Sequence, residues 1–480
     1  MKKTGLFKII MFVLLGVVAC TWIFSSSYFS NGELAELGMY SVGFFDFFQL
    51  LFGAAEFQYF LQITILLLSI GALYGVLNKT GKYRAWIERI ASFFKGAEII
   101  FLFIVTFLIA ALTSTFDYGL IMFIFFPLLI SIILAMGYDK VTALVVTFGS
   151  TLVGTIGSTL GYNTTGIING ILSTTIKDGV YFKLAIFILS MCALFFFVFK
   201  AKRNKKDIKE TLEDDRFIGE KITNKFSVAP IIIVFGLLFV LMILGCTNWE
   251  GTFNVTTFSD FNEKVSAFEV KMPYFHITSE GIEYGAQKTA IFGKILGTVA
   301  PFGEWYYSEM AVMCVLASLL IGILYRFKFK DTFSYMAHGI AKMIKPAGMV
   351  ILTYCIVYFA GNTMFFPTIA SYILGITSKF NLFFSTITMI LGSALHVDML
   401  YVANYVLPQL AGQDVNALII NLLAQGVYGA TMFVAPTSIA VVLGLTYLNV
   451  SYKEWLKRIW KLALGLLAIV VVVIIVAMVI

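Results

Sequence analysis

TFGSTLVGTIGSTLGYNTTGIINGI, residues 147–171, decides how this chain is read. It breaks the apolar run 139–176 with glycines, hydroxyls and asparagines, and GVYGATMFVAPTSIAVVLG at 426–444 repeats the theme near the other end. Lipid supplies no water to an interrupted backbone, so a break at bilayer depth persists only where it packs in protein or lines a wet cavity. Two breaks in corresponding places of two halves point to a transporter binding site.

The surrounding composition is that of a membrane protein. Of 480 residues, 60% are hydrophobic and 13% charged, with a mean hydropathy of +0.91. A soluble chain carries roughly 25% charged residues. Cys20, Cys192, Cys246, Cys314 and Cys355 are scattered in or beside apolar segments without paired or metal-type spacing, so they read as small hydrophobes. MKKTGLFKIIMFVLLGVVAC resembles a signal peptide and VVAC a lipoprotein processing site, but the apolar run continues through Phe24. An uncleaved first helix is therefore expected.

The net charge of +7 does not indicate nucleic acid. Lys and Arg gather at the N-terminus and in 79–97, 200–225, 326–345 and 453–461, whereas 29–57 and 248–307 are acidic on balance. This asymmetry follows the positive-inside rule. It predicts a multi-pass protein of the cell (inner or plasma) membrane, N-terminus cytoplasmic and C-terminus outside.

Helix 6–28 is expected to exit, 38–57 to lie on the outer surface as an amphipathic helix, and 57–78 to return. The arm 98–112 rises only about 22 Å at 1.5 Å per residue, too short to cross. With the polar patch at 113–117 and a second arm bearing Pro127, it reads as a re-entrant hairpin. Segment 139–176 crosses with its break and 182–200 returns. After a charged cytoplasmic linker, 201–225, helix 226–247 exits to the outer segment 248–307 and 308–325 returns. Helix 346–361 exits, 381–410 repeats the hairpin from outside with Pro408, 414–448 crosses with its break, and 459–480 exits.

The predicted fold is an all-α polytopic membrane protein of two inverted repeats. Each has a re-entrant helical hairpin and a broken transmembrane helix. Its parts are 1–56, a first transmembrane helix and outer amphipathic segment; 57–200, the first repeat; the linker 201–225; 226–345, two transmembrane helices with the outer segment; and 346–480, the second repeat.

Candidate ligands cluster at the breaks and tips. Ser158, Thr159, Asn163, Thr164 and Thr165 are spaced by glycines that let the backbone unwind toward a small cation. A half-helix starting near Thr164 offers free N–H groups to a carboxylate. The second break offers Thr431, Pro436, Thr437 and Ser438, with Pro436 excluding regular helix. Thr113, Ser114, Thr115 and Asp117 mark the first tip, and Ser393, His396 and Asp398 the second. An aspartate at mid-bilayer costs about 2.5–3.5 kcal/mol on insertion scales, which marks Asp117 and Asp398 as functional. No Lys or Arg falls in a predicted membrane core, so an anion would rely on helix N-termini, hydroxyls and bound cations. An amino acid satisfies both parts, its carboxylate at a helix start and its ammonium at Asp117. The motifs HExxH, GxSxG, P-loop and CxxC are absent from the sequence, so no enzyme is expected.

Four stretches carry a resemblance to a family: GALYGVLNKTG (71–81), TSTFDYGLIMFIFFPLL (113–129), STLGYNTTGIINGI (158–171) and APTSIAVVLGLTYLNVSYKEWLKRIWK (435–461). At these positions the chain resembles the ion transporter superfamily, in the YfcC-like branch related to dicarboxylate carriers of the DcuC type. The resemblance implies a scaffold part and a mobile part, a homodimer, and an elevator-like motion. It implies that Ser158, Thr159, Asn163 and Thr164 in one half, and Pro436, Thr437 and Ser438 in the other, flank substrate and coupling ion. Members are linked to dicarboxylates or basic amino acids, including arginine–ornithine exchange. The chain departs at both tips. Asp117 stands where the family has two acidic residues, and Ser-Ala-Leu-His-Val-Asp (393–398) where it has a serine run after a proline.

The expectation is a secondary active transporter of a small carboxylate-bearing metabolite, an amino acid ahead of a four-carbon dicarboxylate. Coupling would be to Na⁺ or H⁺ or by exchange, with no cofactor, and with the lipid bilayer and a small-molecule substrate as partners. The alternative of another class is an ion channel or non-transporting membrane protein, for which a continuous polar helix face is expected.

Overall fold

The computed structural model describes residues 5–30, 33–201, 216–218, 226–279, 281–296 and 300–480. Most of the expected linker 201–225, and residues 1–4, lie outside the described residues. Among those described, seven helices are long and apolar enough to cross a bilayer: Gln58–Lys79, Glu98–Phe116, Val180–Phe199, Ala229–Cys246, Tyr307–Leu324, Phe329–Thr363 and Tyr452–Val479.

Several elements differ from expectation, and tertiary partners explain them. The first helix is Leu6–Thr21, not 6–28. The chain then forms an antiparallel hairpin of Ser26–Ser30 with Glu33–Gly38. The Ser26 hydroxyl donates to the Thr363 carbonyl at 2.6 Å and the Ser27 N–H to that of Met364 at 2.9 Å. Ser26 and Ser27 therefore satisfy the carbonyls ending Phe329–Thr363. A second hairpin, Glu269–Thr278 with Gly281–Ala290, lies in 248–307. The chain is mostly helical rather than all-α. The basic stretch 79–97 contains the helix Lys82–Phe93, and the basic stretch 453–461 lies in the opening turns of Tyr452–Val479.

The arm expected to stop at 112 is the 19-residue helix Glu98–Phe116, long enough to cross. Thr113, Ser114 and Thr115 form its last turn, because a helical Ser or Thr keeps its backbone bonds while its hydroxyl reaches a neighbour. Here the Ser114 hydroxyl donates to the Gly157 carbonyl at 2.7 Å.

The helix expected at 346–361 is 35 residues, Phe329–Thr363, and absorbs most of the basic stretch 326–345. Pro346 lies inside it and has no N–H for the carbonyl four residues earlier. That carbonyl belongs to Lys342, and it accepts from Arg216 Nη1 at 2.6 Å. Arg216 Nη2 donates to the Thr446 carbonyl at 2.8 Å, in the last turn of Ile439–Leu448. Phe217 is fully buried between Tyr74 and Tyr447, with ring centroids at 5.5 and 6.1 Å. Removing a buried phenylalanine ring typically costs about 3–5 kcal/mol. Phe217→Ala is therefore expected to lower the unfolding temperature of the purified protein by several degrees, whereas Phe217→Leu keeps most of the stability. An unchanged unfolding temperature would show that the contact carries no stability.

The interrupted helices run as Lys140–Leu144, a π-turn Val145–Gly149, Ser150–Ile156, a non-helical stretch 157–161, a π-turn Tyr162–Gly166 and Ile167–Leu172. The other is Ala417–Met432, a non-helical stretch 433–438 and Ile439–Leu448. They cross where Gly429 meets Ile156, with a Cβ at Gly429 only 2.6 Å from the Ile156 side chain.

Candidate functional site

Protein groups fill most of the vacancies in the first break. Gln425 Nε2 donates to the carbonyls of Ser158 (2.8 Å) and Ile156 (3.3 Å), and Ser114 covers that of Gly157. The Ser114 carbonyl accepts from Thr159 N (2.9 Å) and Leu160 N (3.3 Å). Ser158 and Thr165 share a hydroxyl bond at 3.2 Å, and Thr165 donates to Gln425 Oε1 at 3.2 Å. Gln425 and Ser114 thus do much of what water does outside a membrane.

The second break is closed by the last membrane helix. Trp455 Nε1 donates to the Phe433 carbonyl at 2.9 Å, and the Tyr452 hydroxyl donates to that of Val434. Tyr452 and Trp455 are the Tyr-x-x-Trp spacing of the sequence, one helical turn apart. Thr437 Oγ1 donates to the Ala394 carbonyl at 2.6 Å, tying the break to Leu382–His396.

Two aspartates stand at similar corners. Glu98–Phe116 ends at Asp117 with φ 59°. A short 3₁₀ helix, Gly119–Ile124, follows, and then Phe126–Ala135 with Pro127 in its first turn. Leu382–His396 ends at Val397 with φ 57°, and Asp398 caps Met399–Tyr405, followed by Leu407–Ala411 with Pro408 in its first turn. The Asp117 carboxylate accepts the Thr164 N–H. That donor is therefore taken by the protein itself, which corrects the expectation that it is free for a substrate carboxylate. Asp398 Oδ1 accepts from Leu400 N at 3.0 Å and Oδ2 from the Tyr59 hydroxyl at 2.9 Å.

These corners and both breaks meet at one cavity of about 480 Å³. Thr115, Asp117, Asn163, Thr164, Asp398 and Ser438 form part of its wall. Thr113, Ser114, Ser158, Thr159 and Thr165 are not part of the wall, nor are Ser393, Thr431, Pro436 and Thr437. Thr431 bonds back to its own helix, at the Val427 carbonyl. His396 is also outside the wall. Its ring stacks on Tyr405 at 5.3 Å and meets Phe366 edge-on, with Nδ1 on the Gly392 carbonyl and no bond to Asp398. Aromatic packing two residues before the corner turns it away.

Asp117, Asp398 and Glu304 put three carboxylates in the wall, and among the described residues no Lys, Arg or His joins them. Lys183 is fully buried in the first turn of Val180–Phe199, away from the cavity. Asn248, Gly303, Glu304 and Trp305, from the two ends of 248–307, also line the cavity. Gly303 N and Trp305 N both donate to the Gly245 carbonyl, at 2.8 and 3.0 Å, which holds Glu304 in place.

Sequence reading missed Glu304, Gln425 and the tyrosines of the wall: Tyr59, Tyr162, Tyr306, Tyr307, Tyr354 and Tyr428. Gln425 had a signal, since Asn421 and Gln425 sit four apart in an otherwise apolar helix. The tyrosines had none, because membrane chains carry many aromatics.

The profile of the C4-dicarboxylate anaerobic carrier family matches residues 4–479. The chain is 25% identical over 162 residues to the putative basic amino acid antiporter YfcC of Escherichia coli (strain K12), covering 33% of this chain and 32% of that protein. It is 24% identical over 147 residues to an uncharacterized protein of Haemophilus influenzae, covering 30% and 29%. The matches span less than a third of the length of these curated relatives. Among solved structures, the Alcanivorax borkumensis YdaH transporter aligns at 12% identity and TM-score 0.42, covering 97% of both chains. Neisseria gonorrhoeae MtrF aligns at 12% identity and TM-score 0.42, covering 98% of this chain and 95% of that one.

Proposed function

The chain belongs to the C4-dicarboxylate anaerobic carrier family and is a multi-pass membrane transporter, and from that premise we propose that it carries a basic amino acid by secondary active transport. The observation behind this substrate is the cavity wall, with three carboxylates and no basic side chain among the described residues. At an effective dielectric near 20, two unit charges about 4 Å apart interact by roughly 4 kcal/mol. A dicarboxylate would meet that as repulsion, whereas a substrate with two cationic groups and one carboxylate meets net attraction. Exchange against a second cationic amino acid, or coupling to Na⁺ or H⁺, completes the cycle.

The proposal includes two inverted repeats moving in an elevator-like manner, with a homodimer as the working unit. The paired corners at Asp117 and Val397–Asp398 support the repeat, each preceding a proline-started helix and a broken helix. The length of Glu98–Phe116 removes the shortness argument for the first hairpin, so the repeat rests on these corners and breaks.

A second reading, a four-carbon dicarboxylate carrier, has the family's description in its favour. Proteoliposomes decide between them. Labelled arginine, lysine and ornithine are expected to enter against internal cationic amino acid, and succinate or fumarate neither to enter nor to compete. Succinate uptake indifferent to arginine would overturn the amino acid reading. Glu304 in the wall gives a further check through electrostatic attraction of the substrate. Glu304→Gln is expected to raise KM for arginine about threefold at low salt and to flatten its salt dependence, with kcat unchanged. An unchanged or lower KM for arginine would show that Glu304 does not attract the substrate.

A further inference from the structure

We propose that Tyr59, Tyr306, Tyr307, Tyr354 and Tyr428, gathered around Asp398, form the subsite for the cationic end of the substrate, a guanidinium or primary ammonium group. The inference rests on the amino acid reading above and assigns which part of the cavity reads the side chain.

All six residues belong to the wall of the one cavity. Tyr59 and Tyr307 have ring centroids 6.0 Å apart, Tyr59 and Tyr354 6.3 Å, and Tyr306 and Tyr307 4.1 Å. Phe60 stacks on Tyr354 at 4.1 Å and 20°, which holds that ring still. Tyr59 donates to Asp398 Oδ2, and Tyr428 donates to the Val397 carbonyl at 2.8 Å, fixing the corner that presents the carboxylate.

The Tyr354 hydroxyl points to a ligand. It is fully buried and, among the described residues, has no hydrogen-bond partner. A buried polar group left unpaired is costly, so native proteins rarely keep one without a reason. Tyr354 Oη has a free lone pair for an N–H donor, Asp398 supplies the counter-charge, and the ring faces attract a cation through their quadrupoles. Ser438, in the wall and with its buried Oγ unpartnered among the described residues, offers a further contact near the second break. A planar guanidinium suits this set because it stacks on aromatic faces and carries five N–H donors.

Equilibrium binding of labelled arginine to the purified full chain tests the assignment, with unlabelled arginine, agmatine, norvaline and succinate as competitors. Agmatine keeps the guanidinium without the carboxylate, and norvaline keeps the amino acid without the side-chain cation. Agmatine is expected to compete within tenfold of arginine, and norvaline at least a hundredfold more weakly. Tyr354→Leu is expected to weaken arginine at least tenfold. Tyr59→Phe, which keeps the ring and removes one bond to Asp398, is expected to weaken it threefold to tenfold. Tyr59→Phe also serves as the readout should the leucine variant fail to fold. Norvaline competing as well as arginine, or Tyr59→Phe and folded Tyr354→Leu both binding arginine as the unaltered protein does, would overturn the box and leave the amino acid reading standing. Labelled succinate binding where arginine does not would overturn both.

Discussion

Asp117→Asn is expected to reduce transport of a cationic amino acid by about 100-fold or more while the protein still folds and inserts. Two properties of the position separate charge from structure. Asp117 sits at φ 59° and its carboxylate accepts the Thr164 N–H. Asparagine tolerates the left-handed region and can still accept through its side-chain carbonyl. The substitution therefore keeps the link between the first corner and the first break and removes only the negative charge. A factor of 100 corresponds to about 2.7 kcal/mol, the scale of a hydrogen bond to a charged group. Asp117→Ala removes the link as well, leaves the Thr164 N–H without its acceptor, and is expected to lower the unfolding temperature besides abolishing transport. Initial rates in proteoliposomes, alongside thermal unfolding of the same preparations, check both statements. Wild-type rates in the asparagine variant would take Asp117 out of the transport cycle and leave it a structural clasp.

The largest loss of stability is expected at Gly339. Phe329–Thr363 and Gln58–Lys79 pack backbone against backbone at three glycines. A Cβ at Gly339 would lie 1.9 Å from the Gly71 carbonyl oxygen and 2.7 Å from Gly75 Cα. A Cβ at Gly75 would lie 2.3 Å from the Tyr335 carbonyl oxygen, and one at Gly71 would lie 2.7 Å from that of Gly339. At Gly339 the three nearest atoms are all backbone, which cannot move aside as a flexible side chain would. Gly71 and Gly75 keep the small-xxx-small spacing that lets membrane helices approach closely. Overpacking a fitted core costs about 1–3 kcal/mol and occasionally more, and main-chain clashes belong at the upper end. Gly339→Val is expected to yield little monodisperse protein and to lower its unfolding temperature by ten degrees or so, with Gly339→Ala intermediate. Normal yield and unfolding of the valine variant would show that the two helices do not meet at this point.

The breaks were legible because glycine, proline and hydroxyl residues inside an apolar run have few other readings. What occupies their open valences was not. The sequence expectation gave that role to substrate and ion, whereas Gln425, Ser114, Trp455 and Tyr452 fill much of it. These partners lie up to 269 positions from the groups they serve, and a local pattern cannot register such pairings. Short helix estimates failed for a related reason. Polar residues at 113–115 look like a stop in the sequence, yet a Ser or Thr whose hydroxyl reaches a neighbouring strand of backbone continues the helix.

By itself the sequence determined that this chain lives in a bilayer, where its apolar runs lie and where its main chain must leave the helix. Each of these follows from the cost of exposing polar backbone to hydrocarbon, which any stretch of residues reveals locally. Only the tertiary structure decided that both aspartates and both breaks share one cavity, that His396 turns away from it, and that six tyrosines and Glu304 complete its wall. Such a site is an intersection of helices distant in the chain, and packing between their faces sets it.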